Sequence, residues 1–212
     1  MPFDFTLRPP RPQKSDRLFR RDQVDDPGNA RLRSAPNAYT LGYRRAADRL
    51  VQYAMANQAE CNTLAYPIVF LYRHHIELAL KRVIYCVPGV LRRELTSQER
   101  EHLGKHKLDL LWHDLEPIFE SICEAVGWEK PNSADVEGTR EYIRQLSEVD
   151  PISMTFRYWA SKDGNPSLPA NLDVFNIRHF SEMMGRLADY LEALDIATTA
   201  ADQMLDDLNN AY

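Results

Sequence analysis

The chain has 212 residues, 44% of them apolar, and a formal net charge of −5. That length suits one domain with a real core, and the acidic balance excludes a protein that coats DNA by bulk charge. Cys61, Cys86 and Cys123 are widely spaced with no CxxC pair, which excludes a zinc ribbon or disulfide scaffold and fits a reducing cytoplasm.

Residues 1–37 hold six of the thirteen prolines and eight basic residues against five acidic ones, a local net of +3. The rest of the chain carries 18 basic and 26 acidic residues, a net of −8. A Pro/Arg-rich stretch before an acidic body reads as an extended N-terminal arm, either a recruiting segment for nucleic acid or a partner, or a strap along the bundle. The N-terminus has no apolar signal core, and the longest apolar run, Tyr66 to Tyr72, is too short to span a bilayer. The expected location is cytoplasmic, with no membrane partner.

A first helix is predicted over Ala38 to Gln58, with Tyr43, Ala47, Leu50, Val51, Ala54 and Met55 as its apolar stripe. Residues 64–86 then form a central helix apolar around most of its circumference, which belongs in the middle of a bundle. Pro67 suits its first turn and Pro88-Gly89 its end. Arg73, Glu77 and Lys81 stand four apart on one side, with His74 beside them. Such charges need partners from other segments, because unpaired buried charge is costly. The stripe is either a structural network or the lining of a site.

Thr96 and Glu99 have capping-box spacing for a short helix to Leu103, which Gly104 ends. Residues 106–126 step apolar side chains three or four at a time, from Leu108 to Val126, with a kink or restart at Pro117 and a stop at Gly127. Ser133 is a candidate N-cap for a helix that ends at Asp150-Pro151. The stretch 152–173 breaks the helical rhythm: Phe156 to Trp159 have strand-like composition, and Lys162 to Asn165 read as a turn. A small hairpin or structured loop is expected there. Val174, Ile177, Met184, Leu187, Leu191 and Leu194 mark the last long helix, with an acidic helical tail over 196–212. The predicted class is all-α: an antiparallel helical bundle with a small β-like hairpin or loop insertion before the last helix.

Two segments together, LYRHHIELALKRVI and GKHKLDLLWHDL, resemble the HEPN superfamily through Glu77, Leu80 and Lys81, then His106, Leu108 and Leu111. The later Phe156, Arg157, Tyr158, Asn171, Arg178 and His179 resemble a bacterial branch of HEPN-like proteins, and the likeness spans roughly residues 60–195. The resemblance implies a helical bundle over 38–195 that often dimerises. Many such domains are metal-independent endoribonucleases of toxin–antitoxin or antiviral defence systems, and others are non-catalytic assembly modules or nucleotide binders. The nuclease members carry an Arg, a spacer of four to six residues and a His late in the domain. Here that spacing occurs at Arg100 and His106, not in the last helix, where Arg178 and His179 are adjacent.

Metal-free RNA cleavage needs a proton acceptor at the 2′-hydroxyl, a proton donor at the leaving oxygen and cations for the phosphorane charge. His transfers protons near neutral pH, and Arg offers phosphate a planar fork of donors. The residue types are supplied by Arg73, Arg157 and Arg178 as candidate phosphate clamps and by His74, His106 and His179 as candidate acid/base groups. Across a dimer axis, two copies would complete a composite site. The bland alternatives stay open: Arg73, Glu77, Lys81 and Arg157 as an ion network, His106 as a helix-start residue, Trp112 and Trp159 as core or interface rather than base-stacking rings. No cofactor or metal is expected. Phosphate-loop and dinucleotide glycine patterns, HExxH and a serine elbow are absent, and Gly104 interrupts the His102/His106 spacing. The expected partners are RNA or a nucleotide, and a second copy or a larger complex.

Overall fold

The computed structural model describes residues 35–210, together with the isolated positions 14, 18, 19, 30 and 32. The arm read over the first residues therefore lies almost wholly outside the described part. Within it the chain is all-α. The helices are α1 (Pro36–Ala56), α2 (Cys61–Leu91), α3 (Ser97–Leu103), α4 (Leu108–Leu115), α5 (Phe119–Ala125), α6 (Ser133–Val149) and α7 (Ile177–Asn210). Among the described residues no helix is long and apolar enough to cross a membrane.

The apolar run around residue 70 makes α2 the axis of the bundle. It packs against α1, α4, α5 and α7, and its Ile68, Ile76, Ala79, Leu80 and Val83 are fully excluded from solvent. Facing them are Ala47 and Ala54 of α1, Leu108, Leu111 and Leu115 of α4, and Ala188, Leu191 and Leu194 of α7. Full burial of each large aliphatic side chain contributes about 1.5–3 kcal/mol. Polar clamps hold the same contacts: the Tyr72 hydroxyl donates to Asp48 at 2.6 Å, and Arg82 Nε donates to the Asp195 carboxylate at 2.7 Å.

Several boundaries differ from expectation. Pro67 and Pro88 both lie inside α2, which begins at Cys61 and runs through Pro88-Gly89 to Leu91. An interior proline costs a helix about 3 kcal/mol. Packing on both flanks outweighs that loss, and Gly89 without a Cβ lets the Asp202 carboxylate of α7 lie directly against it. The helix stops at Arg92, which takes a left-handed conformation with φ of 50°. The cap of α6 is Asn132, one residue before Ser133, its side chain accepting from the Ala134 N–H at 2.9 Å. The last helix starts at Ile177, not Val174, because the Asn176 carbonyl side chain accepts the His179 N–H at 3.0 Å and so caps it. The restart at Pro117 is observed as a 3₁₀ turn, Glu116–Ile118, between α4 and α5.

Of the expected hairpin or structured loop, no hairpin forms among the described residues. Among the described residues the chain has no strand, and the segment between α6 and α7 contains a single bridge, Ala160 with Pro166. Thr155 and Phe156 are buried in succession and Arg157, Tyr158 and Trp159 are exposed in succession, so the period of two that a strand requires is missing. Pro166 and Pro169 cannot donate to a ladder. The turn itself is as expected, with Gly164 at φ of 79° and its N–H donating to the Ser161 carbonyl.

The capping box of α3 is complete. Thr96 Oγ1 accepts from the Glu99 N–H at 3.1 Å, and Glu99 accepts from the Thr96 N–H at 2.7 Å. Hydrogen bonds from Arg93, with the Thr96 contacts, hold the Glu99 carboxyl at about 2, below its usual range. Thr96→Ala is expected to lower stability by about 1 kcal/mol, read from urea unfolding.

His75 is fully buried between α1 and α7. Its Nδ1 lies 3.0 Å from the Thr40 carbonyl, and its Nε2 lies 3.6 Å from Glu192 Oε1, with Arg44, Asp48 and Asp195 as the other charges nearby. Burial pushes its pKa below the ordinary 6.5. The unfolded chain therefore binds this proton more readily than the folded one, and the stability it contributes is complete above about pH 6.5 and falls as the pH drops further. The melting temperature is expected to fall between pH 7 and pH 5, with a shallower fall in His75→Gln; equal slopes in the two proteins would exclude His75 as the source.

Candidate functional site

The polar stripe of α2 converges on one carboxylate. Glu77 is 1% exposed, and its Oε1 accepts from Lys81 Nζ at 2.9 Å and faces His106 Nδ1 at 2.8 Å. Its Oε2 accepts from Arg73 at 3.3 Å. The i, i+4 spacing of Arg73, Glu77 and Lys81 aligns these groups along α2, and His106 arrives from the connection before α4. Burial works to raise the Glu77 pKa, but the hydrogen bonds and charges of Lys81 and His106 outweigh it and hold the carboxyl below its usual value. Glu77 is thus an acceptor at neutral pH, so the His106 contact requires the proton on Nδ1. In the neutral ring this leaves Nε2 as the acceptor nitrogen, on a side chain that is 58% exposed.

Arg73 is completely buried and ties three segments together. Its Nε donates to the Asp150 carbonyl at 3.0 Å, and one terminal nitrogen donates to the His106 carbonyl at 2.7 Å while the other reaches Glu77. The Asp150 carboxylate stands 3.4 Å from the same Nε through Oδ2, while its Oδ1 accepts the N–H groups of Met154 and Thr155 and so shapes the start of the 150–176 segment. Arg73 and Lys81 balance Glu77 and Asp150, which leaves the buried network neutral.

His74 lies at the edge of this network. It stacks on Phe70 at 5.7 Å, meets Tyr43 edge-on at 4.4 Å, and has Nδ1 4.0 Å from Glu77. Burial lowers its pKa, so its imidazole is neutral at pH 7. The exposed Arg157 covers the same Phe70 ring with its guanidinium 5.6 Å from the centroid, a cation–π contact, and donates through Nε to the carbonyl of Ser153. Ser153 has a left-handed φ of 61°, which turns that carbonyl toward Arg157.

Of the sequence candidates, Arg73, His74 and His106 therefore meet at Glu77, and Arg157 joins them through Phe70. Arg178 and His179 lie apart, both exposed in the first turn of α7. His179 shares with Arg73 a cavity of about 250 Å³, whereas Arg178 lines a neighbouring one of about 740 Å³. Sequence reasoning did not single out Asp150, Tyr43 or Phe70. Asp150 alone carried a signal, as an acid at a helix end before proline. Among the described residues no group of three His, Cys, Asp or Glu side chains is placed to hold a metal ion.

Chemically, a buried carboxylate orients an imidazole whose second nitrogen is open to solvent. This is the geometry of a general base held in one tautomer. Lys81 adds positive charge at its margin, on the same Glu77 oxygen, and Arg157 stands over Phe70. Comparison with family models, with curated proteins and with solved structures finds no match to the chain.

Proposed function

We propose that the chain is a HEPN-like protein of a prokaryotic antiviral defence or toxin–antitoxin system, acting in the cytoplasm on RNA as a metal-independent endoribonuclease. The observation that carries this reading is the Glu77–His106 pair at 2.8 Å, with the imidazole exposed beyond it. His106 Nε2 takes the proton of a ribose 2′-hydroxyl, the 2′-oxygen attacks phosphorus, and the 5′-oxygen leaves with a proton. The His106 of a second copy, related by a dimer axis, donates that proton. Arg157 and Lys81 neutralise the phosphorane. Arg73, with no face open to solvent, is a positioning residue that holds the His106 backbone.

The test is incubation of the full chain with labelled mixed-sequence RNA in a chelator, beside folded His106→Ala. Cleavage by the unmodified chain and its loss in the variant is the expected result. Cleavage that survives the substitution removes the site. A second reading, a non-catalytic assembly module, is favoured by Ile152, Tyr158, Trp159 and Val174, apolar side chains that the 150–176 segment leaves exposed. Under it, the pure chain leaves RNA intact and pairs with a protein through those residues.

A further inference from the structure

Helix α6 packs against α4, and between it, α2 and the head of α7 lies a cavity of about 250 Å³. The helical repeat builds it: Tyr142, Leu146 and Val149 stand on one face of α6, and Phe180, Met183 and Met184 stand on the head of α7 opposite. Phe156 and Phe175 of the connecting segment complete the wall. Met184 is 3% and Phe156 8% exposed, so the walls lie deep. Gln145, Asn176 and His179 are exposed at the rim and leave a way in.

Size, wall and charge select the ligand. An apolar cavity of about 150 Å³ takes one benzene ring. This one is larger by more than half and takes two fused rings. Phe175 and Phe180 stand edge to face at 5.6 Å and offer aromatic surface to a flat molecule. The two methionines are adaptable side chains whose sulfur favours contact with rings. The charged side chains in the lining, Arg73 and Asp150, are buried and face each other at 3.4 Å, so they present no net charge to a guest. A charged ligand would lose its water there without gaining a counter-ion. One polar group is underused: the Tyr142 hydroxyl donates to Met183 Sδ at 3.1 Å, and a thioether is a weak acceptor. A ligand atom with a lone pair is a better one.

We infer that this cavity binds a small, neutral, two-ring aromatic molecule that accepts a hydrogen bond from Tyr142. Such binding is independent of the proposed action on RNA, whose base, His106, lies outside the cavity lining.

Calorimetry on the full chain near neutral pH tests this, with quinoline, indole, pyridine and 2-naphthoate as probes. Quinoline has two rings, no charge and an acceptor nitrogen. Indole keeps the two rings but offers an N–H in place of the acceptor. Pyridine keeps the acceptor on a single ring, and 2-naphthoate keeps two rings but adds a negative charge. Quinoline is expected to bind saturably, one per chain, with pyridine and 2-naphthoate at least about tenfold weaker. Tyr142→Phe should weaken quinoline by about fivefold and leave indole unchanged. Methyl-labelled methionine locates the ligand by NMR without any substitution. The ring current of bound quinoline should shift the methyl signals of Met183 and Met184. It should leave unmoved those of Met55, which lines the neighbouring cavity, and of Met204, exposed on α7. No saturable binding of quinoline at millimolar concentration overturns the inference. So does 2-naphthoate binding as tightly as quinoline, a methyl shift confined to Met55 or Met204, or a Tyr142→Phe protein that treats quinoline and indole alike. Should Tyr142→Phe fail the folding check, the methyl shifts and the naphthoate contrast decide.

Discussion

Arg73→Met is expected to destabilise the fold by about 3–5 kcal/mol, the cost of breaking a buried ion network from one side. Methionine keeps most of the side-chain volume, so little of the loss comes from an empty cavity. The loss comes from charge and hydrogen bonding. Glu77 and Asp150 are 1% and 2% exposed, and without the guanidinium Glu77 keeps Lys81 while Asp150 loses its cation. The carbonyls of Asp150 and His106 lose their donor at the same time. For a chain of this length the melting temperature should drop by roughly 10 °C. Adding Asp150→Asn separates charge from shape. The asparagine keeps an Oδ1 acceptor for the Met154 and Thr155 N–H groups but removes the unbalanced anion, so the double variant should be more stable than the sum of the two single losses. Urea unfolding of the four proteins measures this, and strict additivity would show that Arg73 and Asp150 do not act as a pair.

This network also marks how far the sequence was readable. Four-residue spacing placed Arg73, Glu77 and Lys81 on one face of α2, because a helix returns nearly to the same direction every four residues. Spacing says nothing of depth. The observed gradient, from fully buried Arg73 to a Lys81 side chain 14% exposed, is set by where α4 and the 150–176 segment cross α2. Asp150 is 77 positions from Arg73, and no local pattern encodes that pairing. Helices were legible wherever an apolar stripe repeats every three or four residues, as in α1 and α4, and the capping box of α3 was legible because both partners lie within four residues. Pro88-Gly89 misled because breaker residues act on an isolated helix, whereas here α7 packs across them. The strand-like run at Phe156 to Trp159 misled for a related reason: its composition suits a sheet, but among the described residues no second strand lies beside it.

His106→Ala is expected to reduce RNA cleavage by about 10²–10⁴, the range for loss of a positioned acid/base group, while unfolding free energy changes by less than about 1 kcal/mol. The small stability term follows from geometry: the His106 side chain is more than half exposed, and Glu77 retains both Arg73 and Lys81 after its removal. A histidine that merely packed or capped would give no large activity loss. Lys81 and His106 hold the Glu77 carboxyl below its usual value, so it stays an acceptor for the imidazole. Glu77→Gln is the less informative variant, since it leaves Arg73 and Lys81 without their anion and disturbs fold and chemistry together. Lys81→Met removes the other cation from the same buried oxygen, so it should lower melting as well as cleavage. A His106→Ala protein that cleaves as well as the unmodified chain would reduce the cluster around Glu77 to a structural clamp.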